Sequence, residues 1–161
     1  YGDAAVTVSV GEISKTDASL IACAKDALYF AIDIIRPEMH FKELSFEIEK
    51  FIIARGFVPL RGFCGHGIGQ VFHQDPQVLH YGQPNTGMKL EAGMLFTIEP
   101  MINAGKRHLK VLPDQWTVVT RDRSLSAQWE HTILVTEDGY EVLTVSPGMP
   151  KPPAFITALE V

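Results

Sequence analysis

The amino-acid sequence predicts an α+β fold in which two neighbouring helices are followed by mostly antiparallel strands. Three patterns carry that prediction. Val6, Val8 and Val10 alternate with small or polar residues, as a half-buried strand requires. Two stretches then repeat their apolar residues at helical spacing. From Gly62 onward the chain breaks into short apolar runs separated by turn residues. With 161 residues, 46% of them hydrophobic, the chain can build one sizeable core and is read as a single domain over residues 1–161.

The elements follow in order. Residues 4–13 read as a strand. From Thr16 the period changes: Leu20, Ile21, Ala24, Leu28, Ala31, Ile32 and Ile35 share a helical face, Ser14 or Thr16 offers an N-cap, and Pro37 ends the run. A second helix is expected over residues 41–55, with Leu44, Ile48, Phe51 and Ile52 inward and Gly56 placed to terminate it. The two helices should pack side by side on one face of a sheet. Strands are expected over residues 93–104, interrupted by Pro100, and over 116–122. Residues 127–145 read as a hairpin turning at Asp138-Gly139. Residues 146–161 are proline-rich and should trail over the surface.

Composition narrows the function. A formal net charge of −5 argues against nucleic acid as the main partner, because phosphate binding needs clustered Lys and Arg. The basic cluster GKRHLK at 105–110 reads as a solvated loop or strand end. No apolar run approaches the ~18 residues of a membrane span, and no signal-peptide pattern is present. Cys23 lies in an apolar helix pattern and Cys64 beside a glycine run; two such cysteines make no disulfide framework and suit a reducing compartment. The chain starts at Tyr1, without an initiator methionine, and reads as part of something longer.

Three polar residues stand where polar residues are expensive. Glu99 sits in LFTIEPM and Glu130 in AQWEHTILV, and a carboxylate in an apolar strand must be paired, hydrogen-bonded, metal-bound or turned outward. His66 lies among three glycines in GHGIG, with His73 seven positions on. A histidine hydrogen-bonded in a turn would explain His66 alone. Together with two strand glutamates it suggests the ligand set of a divalent first-row metal, with the glycines letting the backbone approach a metal-bound ligand. A dinucleotide fingerprint is excluded, since GHGIGQ neither follows a strand nor opens a helix pattern. Asp3 carries no such signal by itself.

The stretches YGDAAVTVSVGEIS, GFCGHGIGQVFHQDPQVLHYG, GMLFTIEPMINAG and WTVVTRDRSLSAQWEHTILVTEDGYEVLT together resemble the type I methionine aminopeptidases of bacteria, in content and in order. The resemblance covers all but about the last dozen residues. It implies the pita-bread fold, a curved antiparallel sheet backed by helices, of which this chain would hold the C-terminal portion as a single catalytic domain. It implies a dinuclear site of two aspartates, one histidine and two glutamates, matched here by Asp3, His66, Glu99 and Glu130, for two divalent ions (Co, Mn, Fe or Zn). Glu130 would bridge the ions, and Glu99 would also shuttle the proton of the attacking water.

By the same resemblance His73 would contact the substrate's peptide group, and Phe72 and Trp116 would line the methionine pocket, where aromatic rings suit a thioether. The family's first aspartate ligand and another active-site histidine would precede Tyr1. The expected partner within the protein is therefore its N-terminal remainder, without which these residues should be inactive or nearly so. The implied substrate is the N-terminal methionine of nascent peptides, in the cytoplasm, with ribosome association and no membrane. His40, His80 and His108 should sit in loops or on the surface, His131 should be structural, and Trp129 should be core. Two other readings stay open: a proline-specific or creatine-cleaving pita-bread enzyme, and a pita-bread binding module without peptidase chemistry.

Overall fold

The computed structural model describes residues 1–148. Helix α1 spans Lys15–Asp33 and α2 spans Phe41–Ala54. Ser14 caps α1: its hydroxyl accepts the Asp17 N–H at 3.1 Å, satisfying a donor the helix cannot pair itself. Helix α2 ends as expected at Gly56, whose φ of 80° is the left-handed conformation that glycine adopts without a Cβ penalty. Leu44, Ile48 and Ile52 are fully buried on its inner face. Phe51 lies at the edge of that face, stacked on Phe30 of α1 at 4.6 Å and covered by the Arg55 guanidinium.

Among the described residues ten short strands follow: β1 Val58–Pro59, β2 Gly65–Gly67, β3 Gln74–Val78, β4 Leu95–Ile98, β5 Met101–Asn103, β6 Leu109–Val111, β7 Val118–Thr120, β8 Ser126–Gln128, β9 His131–Val135 and β10 Tyr140–Val142. They pair antiparallel in three sheets ordered β10-β9-β4-β2-β3, β1-β5-β8 and β6-β7. Helix α1 packs on α2, β4, β5 and β8, while α2 packs on β1 and β3. Phe96, Ile98, Ile102 and Ile133 meet Leu20, Leu28, Ile32, Leu44 and Ile48 in one core. Each such side chain contributes roughly 1.5–3 kcal/mol when fully buried.

Two of the predicted runs are divided, the first at the proline where interruption was expected. The run 93–104 passes from β4 to β5 at Glu99-Pro100, because proline has no N–H for the ladder. The run 127–145 divides at Trp129-Glu130: β8 pairs with β5, and only β9 and β10 form the hairpin. That hairpin turns at Asp138-Gly139 as expected, closed by the Thr136 N–H on the Gly139 carbonyl.

Residues 4–13 form no strand. Ala5 makes a single bridge to Glu130, and Thr7 exchanges hydrogen bonds with the Gln128 backbone, but Val6, Val8 and Val10 are exposed. One face of the segment is tied down, and nothing among the described residues extends the ladder. The 116–122 strand shortens to β7, leaving Trp116 outside it. Of the tail, only residues 146–148 lie within the described residues.

His80 sits in a loop as expected, but not at the surface: its relative exposure is 0%. His40 is partly exposed and His108 exposed. His131 is buried, its Nδ1 2.8 Å from the Thr144 hydroxyl, and Trp129 is in the core.

Candidate metal centre

Strand β2 delivers His66, and its glycines explain how. A Cβ on Gly65 would run into the Thr97 carbonyl, and one on Gly67 into the Asp75 carbonyl. Both glycines therefore serve close approach of neighbouring strands, which differs from the sequence reading of approach to a metal-bound ligand. The register shifts between His66 and Gly67, a bulge of the kind that re-aims a side chain. The His66 N–H donates to Thr97 Oγ1 at 3.0 Å. Its Nδ1 lies 3.0 Å from the Gly67 carbonyl, which can only accept, so Nδ1 is assigned the proton and Nε2 presents its lone pair.

That Nε2 faces carboxylates: Glu99 Oε1 at 3.6 Å and Asp3 Oδ2 at 3.9 Å. Asp3 is fixed through its backbone, since Thr132 Oγ1 accepts its N–H and donates to its carbonyl, both at 2.8 Å. Atoms of Asp3, His66 and Glu130 that could bind one cation all lie within 4.8 Å of one another. They line a cavity of ≈730 Å³ together with His73, Glu99 and Gln128.

Electrostatically this cluster is starved of positive charge. Glu99 is 9% exposed and Glu130 5%, and among the described residues no Lys or Arg pairs with the cluster, which only His66 Nε2 faces. Burial pushes the Glu99 carboxyl up to about 7; the Thr97 hydrogen bond opposes that shift and the Asp3 charge adds to it. Burial, then the charges of Glu99 and Asp3, push Glu130 up to about 8. Glu130 Oε1 is buried without a hydrogen-bond partner among the described residues. An imidazole lone pair, three carboxylates and an orphaned buried oxygen fit a divalent cation of the hard-to-borderline kind. Cys64 lines the same cavity, but burial and then the Glu99 charge raise its thiol, so it is not an activated nucleophile.

The flanking residues separate. The His73 ring stands 4.2 Å from that of His66 and lines the cavity. Phe72 packs edge-on against His73 and Tyr1. Trp116 is 88% exposed at the β6–β7 turn, where Asp114 accepts from its N–H; the structure does not bring it to the cavity.

Two residues here escaped the sequence reading. Thr97 Oγ1 donates to Glu99 Oε1 at 3.0 Å, and Gln128 Nε2 to Glu99 Oε2 at 3.1 Å. Each sits two positions before a glutamate, and that spacing on an extended chain places them on the same face.

The family model "Metallopeptidase family M24" matches residues 1–137. The chain is similar to the methionine aminopeptidase of Escherichia coli K12, 46% identical over 145 residues that make up 90% of this chain and 55% of that protein. Among solved structures it is similar to the methionine aminopeptidase of Thermotoga maritima, with a TM-score of 0.89 at 42% identity over 91% of this chain and 59% of that one. The Rickettsia prowazekii enzyme gives 0.88 at 42% identity, covering 90% and 59%. The chain spans about half the length of the curated relatives it matches. These likenesses carry the pita-bread fold expected from the sequence. Among the described residues, no helix is long and apolar enough to cross a membrane.

Proposed function

The chain belongs to metallopeptidase family M24, and from that membership we propose that the whole protein is a methionyl aminopeptidase, releasing N-terminal methionine from peptides and nascent chains by metal-assisted hydrolysis. The observation that carries the reading is the convergence of Asp3, His66 and Glu130 within 4.8 Å in a cavity that also holds Glu99 and His73. The similarity to methionine aminopeptidases supports the substrate.

In this reading Asp3, His66, Glu99 and Glu130 hold a pair of divalent cations. What such cations supply when bound is an acidified water and compensation for charge developing on the scissile carbonyl oxygen. Glu99 takes the proton of the attacking water and passes it to the leaving amine. Its position suits the task, because its carboxyl lines the cavity and faces His66 Nε2 at 3.6 Å. His73 donates a hydrogen bond to the scissile amide. Phe72 contributes an aromatic wall for the methionine thioether; Trp116 would contribute only from a position other than its exposed one. Nascent chains as substrates would place the protein in the cytoplasm, beside the ribosome.

The test uses the whole protein, its metal content measured, against Met-Ala and Ala-Pro peptides. Release of methionine with little action on Ala-Pro is expected. Preference for Ala-Pro would transfer the protein to the proline-specific branch, and bound metal without cleavage of either would make it a binding module.

A further inference from the structure

The Gln128 side chain stands between the two glutamates of the cavity. Its Nε2 lies 3.1 Å from Glu99 Oε2 and 3.5 Å from Glu130 Oε2, so one amide with two hydrogens reaches two carboxylates. The amide is neutral, so it steers the carboxylates without cancelling the charge a cation would need. The consequences for the two glutamates differ. Glu99 has both oxygens engaged, Oε1 by Thr97 and Oε2 by Gln128. Glu130 has only Oε2 engaged, and its buried Oε1 is left without a partner.

Gln128 is itself fixed. Its strand, β8, pairs with β5 through Met101 opposite Gln128, and its backbone N–H and carbonyl are both bonded to Thr7 Oγ1, at 3.1 and 2.7 Å. A side chain with its backbone held on two sides is a rigid lever on whatever it hydrogen-bonds.

We propose that Gln128 is a positioning residue of the cation site: by hydrogen-bonding Oε2 of both glutamates it fixes their spacing and turns both carboxylates toward the cavity. The inference rests on the metal-centre reading of the cavity. It needs no turnover to be tested.

Co²⁺ is titrated into the metal-free whole protein, followed by calorimetry and by the visible ligand-field spectrum. The forms compared are the native whole protein and its Gln128→Met and Glu130→Gln variants. Gln128→Met keeps length and volume and removes both donors. It should bind Co²⁺ about tenfold or more weakly, in the range typical of lost outer partners of metal ligands, with an altered visible band. A purely structural role would leave the Co²⁺ affinity and the spectrum of the folded protein alone, whatever it did to the melting temperature. Equal affinity and an identical band in Gln128→Met would overturn the assignment while leaving the metal centre intact. If the native protein and Glu130→Gln bind Co²⁺ alike, the metal-centre reading falls and takes this one with it. A second measurement needs no variant: the Gln128 side-chain amide resonances of the native protein should move on addition of Zn²⁺, and resonances that stay put would also refute the proposal.

Discussion

Glu99 and Glu130 occupy facing interruptions of one antiparallel pair. On one side Ile98 pairs with His131, and on the other Met101 pairs with Gln128; between these registers both chains cross from the five-stranded to the three-stranded sheet. The site therefore lies at a seam. A carboxylate inside a continuous ladder would point into the core or into solvent, whereas at a matched pair of breaks two carboxylates turn toward the same cavity. Pro100 enforces one break by its missing N–H.

The crowding at that seam predicts a stability that depends on pH and metal. Glu130 in the fold titrates near 8 against an ordinary 4.5. Below the lower value the carboxyl is protonated in both states and folding is unpenalised. As pH rises toward 8 the unfolded chain ionises more readily, so the stability of the metal-free protein should fall. Melting temperatures of the metal-stripped protein should drop between pH 6.5 and 8 and recover on adding Mn²⁺, as a ligand of the folded state alone would make them do. Glu130→Gln should flatten the slope and lose most of the Mn²⁺ recovery. A native slope of the opposite sign, or full recovery in the variant, would contradict the arrangement.

His73 should separate binding from rate. It lines the cavity beside His66 and is not a member of the Asp3, His66, Glu130 group. In the whole protein His73→Ala should keep its metal content and lose on the order of 10²–10³ in kcat, as removal of a positioned hydrogen-bond donor does. Unimpaired turnover would remove His73 from the mechanism.

How far the sequence could be read depended on whether a signal was local. Helix α1 with its Ser14 cap and α2 with its Gly56 terminus follow from spacing and capping within a few residues. Glu99, Glu130 and His66 were conspicuous because a charge or a glycine run interrupts an apolar pattern. Asp3 was not: its place depends on Thr132, more than a hundred positions away, and only the family resemblance found it. Thr97 and Gln128 are ordinary strand residues until the glutamates beside them are known to converge. Residues 4–13 misled for a related reason, since alternation describes a chain ready to pair and says nothing about whether a partner strand is there.

His80 offers the test furthest from the site. Its ring is fully buried with neither nitrogen hydrogen-bonded among the described residues, in the loop between β3 and Gly82, which abuts Lys42 and Ser45 of α2. Burial pushes the imidazole down to about 4, so it stays neutral in the fold across the range in which an unfolded histidine, near 6.5, takes up a proton. Above about pH 6.5 the two states agree and no stability is lost. As pH falls toward 4 the unfolded state gains a proton the fold refuses, a loss of up to about 3 kcal/mol from this residue. This slope opposes that of Glu130, so the informative quantity is the difference between native protein and His80→Leu at each pH. Leucine has similar volume and no polar atoms to leave unpaired, so the variant should match or exceed the native stability at pH 7.5 and gain on it steadily toward pH 5. Denaturant midpoints at the two pH values measure this directly. A difference that does not change with pH would mean that the imidazole finds a partner or solvent, and that its burial unpaired is wrong.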